Sequence, residues 1–213
     1  MAFFAYGLEE MNWLRRRDSR LGKVIGSIPP VKREVDEDIF SSILHHIIGQ
    51  QISTKAQRTV WLRMQDAYGI PVPSTIAKAD INELQSLGMT FKKATCIKEF
   101  VENVQTGVLS MDALKSMPDA EAIAALTKIR GIGVWTAEMI LLFGLHRPDI
   151  LSYGDLAIHR GMRMVYHRRN IGRDMFEKYR RRFSPYCSVA SLYFWAVAGG
   201  AIPELTDPAP KKK

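Results

Sequence analysis

Two stretches of this chain combine residue types and spacings that can do chemistry. The first is Leu126-Thr127-Lys128-Ile129-Arg130-Gly131-Ile132-Gly133-Val134-Trp135-Thr136-Ala137. Helical spacing stops near Leu126 and resumes near Val134, so Gly131-Ile132-Gly133 must reverse the chain between two helices. Glycines on either side of one apolar residue permit positive φ and let backbone N–H groups approach a partner with no Cβ in the way. The helix that follows presents unsatisfied N–H groups and the positive end of its dipole. The partner that suits this arrangement is a phosphate. Gly131, Gly133, Val134 and Thr136 would form the cradle, Lys128 and Arg130 would add charge at its rim, and Ile132 would anchor it in the core. A Gly-x-Gly turn by itself only joins helices; the helix on each side and the flanking basic residues favour phosphate binding here.

The second stretch is Tyr153-Gly154-Asp155-Leu156-Ala157-Ile158-His159-Arg160-Gly161. Asp155 stands where a helix begins, after Pro148 and Gly154. Aspartate is a favoured N-cap, its carboxylate accepting from amides of the first turn. A carboxylate held there can also serve a reaction, and the two roles are compatible.

The elements that must position these groups are helical almost throughout. Ile39, Phe40, Ile43, Leu44, Ile47 and Ile48 form one apolar face. Ala56, Val60, Met64 and Ala67 form another, with Thr54 and Gln57 as a capping box at its start. Ala94, Ile97, Val101 and Val104 give a third, and Ala137, Ile140, Leu141 and Gly144 a fourth, stopped by Pro148. Met162, Val165 and Tyr166 give a fifth, and Val189, Leu192, Tyr193, Ala196 and Val197 a last one, with Pro185 suited to its first turn. Pro71-Val72-Pro73-Ser74 and Ser116-Met117-Pro118-Asp119 read as loops that start helices. Alternating strand patterns are absent, so the fold class is all-α, and residues 207–213 read as a disordered tail.

Composition narrows the function. The net charge of +8 suits a polyanionic partner. Cys96 and Cys187 are far apart and outside any Cys-x-x-Cys pair, so they cannot supply the four thiolates of an iron–sulfur cluster; both read as free thiols. No apolar run approaches the ~18 residues of a membrane span, and the apolar start of the chain is too short for a signal sequence. The expectation is a cytoplasmic protein with no membrane partner.

Ile129-Arg130-Gly131-Ile132-Gly133-Val134-Trp135-Thr136-Ala137 resembles the helix-hairpin-helix of the HhH-GPD DNA glycosylase superfamily, and within it the 3-methyladenine DNA glycosylase II branch in a compact form without the extra N-terminal domain. The family usually has proline where this chain has Arg130, a departure that keeps both glycines. The likeness covers residues 18 to 200. It implies two helical lobes: residues 37–148, with the hairpin 126–137, and residues 1–36 joined to 149–206, the cleft between them holding Asp155 and Trp135. It implies a monomer that binds duplex DNA containing damaged bases.

The family's catalytic aspartate lies about twenty residues beyond the hairpin, a slot that Asp155 fills. There it would stabilise an oxocarbenium-like transition state and orient the attacking water. An alkylated purine already carries positive charge and needs no general acid. Family members that also nick DNA carry a Schiff-base lysine at the position of Trp135, so the resemblance implies a monofunctional enzyme. Trp135 is either a wall of the base pocket or an ordinary core tryptophan; Phe40 and Trp13 are further pocket candidates with core packing as the alternative.

His45-His46-Ile47-Ile48-Gly49-Gln50-Gln51-Ile52-Ser53 resembles the branch's signature before its DNA-probing loop. Gln51 is the wedge that would fill the gap left by a flipped nucleotide, and Gln50 its helper; otherwise both are loop residues in solvent. The histidines have no matching ligands and read as helix residues. Leu87-Gly88-Met89-Thr90-Phe91-Lys92-Lys93-Ala94 resembles a loop-to-helix step that sets Lys92 or Lys93 near phosphate. Phe183-Ser184-Pro185-Tyr186-Cys187 resembles the start of the C-terminal helix, where the family commonly has arginine at the Cys187 position. The family further implies a Na+ or K+ ion on the carbonyls of Thr127, Ile129 and Ile132, with no other cofactor. The competing readings are a glycosylase for another damaged or mispaired base, a damage-binding protein without catalysis, and a hairpin domain of a nuclease or polymerase.

Overall fold

The computed structural model describes residues 2–36 and 38–209. In chain order its elements are β1 (Ala2–Phe3), α1 (Leu8–Arg17), α2 (Ser19–Ser27), β2 (Glu34–Val35), α3 (Ile39–Gly49), α4 (Thr54–Tyr68), α5 (Pro73–Ile76), α6 (Ile81–Ser86) and α7 (Phe91–Gln105). There follow α8 (Met111–Ser116), α9 (Asp119–Leu126), α10 (Val134–Phe143), α11 (Leu156–Tyr166), α12 (Arg173–Phe183) and α13 (Cys187–Ala198). The fold is all-α, as its periodicities imply; the one departure is the two-residue antiparallel pairing of β1 with β2, too short to leave an alternating pattern. Contacts divide the chain into two compact units, Asp36–Leu145 and Met1–Val35 with His146–Lys213.

In the Asp36–Leu145 unit the apolar face of α3 is buried along its length at Ile43, Leu44, Ile47 and Ile48, and the helices packed against it, α4, α7 and α10, bury Met64, Ile97, Phe100 and Ile140. Asp38 caps α3 by accepting from the Ser41 N–H at 2.8 Å. Helix α4 is capped by Ser53 rather than Thr54: the Ser53 hydroxyl accepts from Ala56 N at 3.2 Å. The expected Thr54–Gln57 box is therefore one residue out of register. Gln57 instead reaches back over α3, donating from Nε2 to the His45 carbonyl at 2.9 Å.

In the other unit, α11 and α13 pack closely. A Cβ on Gly161 would fall 2.1 Å from the Phe194 carbonyl oxygen, so only glycine permits this crossing. Two buried serines of α13 tie the preceding loop to the same helix. The Ser188 hydroxyl accepts from Ile150 N at 3.0 Å, and the Ser191 hydroxyl donates to the Ile150 carbonyl at 2.9 Å. Such bonds satisfy backbone groups that burial would otherwise leave without water. Pro185 lies two residues before α13 rather than in its first turn, which Cys187 opens after the Tyr186 N-cap.

Residues 207–209 depart from the expected disordered tail. Asp207 forms a two-bond ion pair with Arg163, at 2.9 Å to Nε and 2.5 Å to Nη2, and accepts from Ala209 N at 3.1 Å. The planar guanidinium matches both carboxylate oxygens, which fixes the segment onto α11. Residues 210–213 lie outside the described residues.

Candidate functional site

The hairpin lies in the Asp36–Leu145 unit. The Thr127 N–H continues α9 by donating to the Ile123 carbonyl, and tight turns follow, from Ile129 N to Leu126 O and from Ile132 N to Ile129 O. Ile129 and Ile132 are buried, whereas Lys128, Arg130, Gly131, Gly133, Val134 and Trp135 are exposed. The two isoleucines thus hold the turn down while its backbone faces solvent. The glycines have different reasons for being there. Gly131 has φ of +82°, and a Cβ on it would come within 2.9 Å of the Cys96 sulfur. Gly133 has φ of −88° and caps α10, yet a Cβ on it would meet nothing within 4 Å. The fold gives no packing reason for glycine at 133. No side chain caps the start of α10, so its first-turn N–H groups and dipole face outward through this opening. Thr136, unlike its neighbours, is buried.

Charge at the rim is lower than the sequence suggests. Arg130 pairs with Glu99 at 3.3 Å. Lys93, expected to face phosphate, turns inward: its ammonium donates to the Ile48 carbonyl at 2.8 Å, and burial pulls its pKa down. A carbonyl left unpaired at the end of α3 takes the place expected for a phosphate. Lys92 beside it stays exposed.

The glutamine loop meets the hairpin across 81 residues of sequence, Gln50 Nε2 donating to the Gly131 carbonyl at 2.7 Å. Gln51 is exposed and has φ of +56°, a left-handed conformation unusual for a residue with a Cβ. Ile52, which sequence reasoning passed over, is 39% exposed beside it.

The aromatic candidates separate cleanly. Trp135 is 43% exposed. Phe40 is 6% exposed and stacks on Phe100 with ring centroids 5.2 Å apart, the core packing given as the alternative to a pocket role. Trp13 is half-buried in the other unit, edge-on to Tyr186 and beneath Arg17. The adjacent histidines are structural: His45 pairs with Asp36, and His46 Nδ1 bonds the Ser42 carbonyl.

Asp155 lies in the unit that contains His146–Lys213 and is 7% exposed. Its Oδ1 caps α11 by accepting from Ile158 N at 2.8 Å, and accepts again from the indole Nε1 of Trp195 at 3.1 Å. The crossing at Gly161 brings these two helices together. Trp195 also has the Arg33 guanidinium over its ring, 5.8 Å from the centroid. Trp195 was missed in the sequence; its position in an apolar helix carries no sign of a partner 40 residues away. Cys187 is fully buried, its thiol donating to the Arg180 carbonyl at 3.2 Å, and burial, with Asp149 next, pushes its pKa up.

Comparison with known proteins agrees with this geometry. A DNA-3-methyladenine glycosidase structure from Bacillus halodurans superposes with a TM-score of 0.85 at 30% identity, covering 96% of this chain and 95% of that one. The 3-methyladenine DNA glycosylase of Schizosaccharomyces pombe in complex with abasic DNA superposes with a TM-score of 0.75 at 26% identity, covering 90% and 97%. The curated DNA-3-methyladenine glycosylase 1 of that yeast is 27% identical over 97% of this chain and 90% of its own length. The model of HhH-GPD superfamily base excision DNA repair proteins matches residues 44–185, which include both the hairpin and Asp155, and the chain belongs to that superfamily.

Proposed function

We propose that this protein is a monofunctional DNA glycosylase that hydrolyses the N-glycosidic bond of alkylated purines, of the 3-methyladenine and 7-methylguanine type, in duplex DNA, opening base excision repair. The observation that carries this reading is the buried Asp155 carboxylate, fixed at one oxygen by the Ile158 N–H and the Trp195 indole. Cleavage of the bond builds positive charge on the sugar, and a carboxylate already oriented in a water-poor setting stabilises that charge without reorganising. The same group orients the water that attacks C1′. An alkylated purine leaves as a neutral base, so the reaction needs no proton donor.

The exposed face of Trp135 suits stacking on a flipped, cationic base. It occupies the position of the family's Schiff-base lysine, which supports base release without strand cleavage. Gln51, on its left-handed backbone, fills the gap in the duplex, and the start of α10 binds a backbone phosphate through Gly133 and the N–H groups of Val134 and Thr136. The Ile129 carbonyl already accepts the Ile132 N–H, and the Thr127, Ile129 and Ile132 carbonyls, neutral oxygens, would be the ligands of a monovalent cation. A bound Na+ or K+ would add positive charge to the hairpin and so favour a phosphate there; no other cofactor is needed. The protein acts as a cytoplasmic monomer in this reading; among the described residues no helix is long and apolar enough to cross a membrane.

The test is incubation with methylated duplex DNA, measuring free modified bases and strand breaks before and after alkali, with Asp155→Asn in parallel. Release of methylated purine, breaks only after alkali, and loss of release in the variant are expected. Tight, salt-sensitive DNA binding with no release from methylated, deaminated or oxidised DNA would replace this reading with that of a damage-binding protein.

A further inference from the structure

Asp155 caps the first turn of α11, and Tyr166 ends that helix about 16 Å along its axis at 1.5 Å per residue. At this far end lies a cavity of about 260 Å³ that the base-release reading does not use. Four arginines line it: Arg17, Arg20, Arg168 and Arg182. A single carboxylate, Asp18, faces them, and its bonds are committed. Oδ1 accepts from Arg20 N and Leu21 N at 3.1 and 3.0 Å, and Oδ2 accepts from Arg182 Nη1 at 2.6 Å. Arg20 spends one guanidinium N–H on the Tyr166 carbonyl at 2.6 Å, which leaves its charge in place. No carboxylate among the described residues pairs with Arg17 or Arg168. The walls therefore carry an excess of three positive charges.

Tyr166 forms a buried part of the wall, 4% exposed, with Tyr179 stacked on its ring at 4.1 Å. Burial, and then the charge of Asp18, push its phenol's pKa up, so the ring adds no negative charge to offset the arginines.

We propose that this cavity is a binding site for a phosphate group, held by Arg17 and Arg168. The planar guanidinium fork matches two phosphate oxygens, which fits a site built from arginine. The phosphate comes either from a DNA backbone or from a small phosphate-bearing molecule.

Two measurements on the full chain test this and distinguish the sources. The first is thermal unfolding in phosphate-free buffer, titrated with inorganic phosphate against chloride at matched ionic strength. Phosphate, and not chloride, should raise Tm. The Arg17→Gln/Arg168→Gln double variant should lose that shift. The second is the slope of log binding constant against log salt for a DNA duplex. Loss of the one phosphate contact should lower its magnitude by about 0.9 in the double variant if DNA supplies the phosphate. An unchanged slope with a lost phosphate shift assigns the site to a small ligand. If the double variant alters neither the phosphate response nor the slope, the proposal is overturned.

Discussion

The indole N–H of Trp195 donates to Oδ1 of Asp155 at 3.1 Å, so the last helix of the chain orients the residue that begins α11. Because asparagine is as good an N-cap as aspartate, Asp155→Asn should leave Tm almost unchanged. Base release should nevertheless fall on the order of 10²- to 10³-fold, because the stabilising charge is gone. Trp195→Phe keeps an aromatic ring but removes the donor, and should lower the single-turnover rate more than it lowers DNA affinity. Single-turnover base release and thermal melts on both variants check this; a large drop in Tm for Asp155→Asn would show that the carboxylate is mainly structural.

Trp135 and Phe40 should respond in opposite ways to truncation. Phe40→Ala empties a site beneath Phe100 and should cost about 3–5 kcal/mol in denaturant unfolding. Trp135→Ala removes a ring that is 43% exposed and should cost far less stability while base release collapses. Equal stability losses in the two variants would return Trp135 to the core.

The two hairpin glycines make a second contrasting pair. Gly131→Ala forces a Cβ at φ of +82° into the Cys96 sulfur, and should destabilise the protein by about 1–3 kcal/mol. Gly133→Ala meets no atom of the protein and should melt like the parent. Its methyl group stands where a phosphate would approach, so DNA affinity should fall. Melting curves beside binding isotherms at fixed salt separate the two effects.

The Arg163–Asp207 pair gives a pH signature. The hydrogen bonds from Arg163 hold the Asp207 carboxyl below the usual carboxylate range, ahead of a smaller opposing effect of burial. With the folded pKa depressed, the stabilisation is fully present above the unfolded value of about 3.9 and is lost as pH falls through the folded one. Asp207→Asn should therefore be less stable than the parent at pH 7, by about 1 kcal/mol or less. The two melting curves should converge below that range; a gap that persists in acid would mean the carboxylate charge is not the cause.

What the sequence disclosed and what it concealed divide along range. The helices were legible because burial of one face writes a 3.6-residue period, and the face it implied for α3 had already set Phe40 among core residues. The hairpin was legible because two glycines and a helix start lie within a dozen residues. Asp155 was legible because a capping aspartate follows a glycine and a proline. The bonds from Trp195 to Asp155 and from Gln50 to Gly131 were not, since they join residues 40 and 81 positions apart. Lys93 misled because a lysine near a loop reads as solvent-facing, and nothing local shows the carbonyl of Ile48 waiting for it. The tail misled because the proline-rich composition after Asp207 does not reveal an arginine 44 residues earlier.

The bond between Gln50 and the Gly131 carbonyl has a consequence for how this surface would meet a duplex. A loop that orders only on contact loses conformational freedom at that moment, and its affinity falls accordingly. Here Gln51, the wedge of the proposed function, stands on a backbone already turned to φ of +56°, beside a residue already fastened to the hairpin. The entropy of that ordering was surrendered when the chain folded, so under the proposed function the loop would meet DNA already shaped, and an ill-fitting base pair would do the yielding.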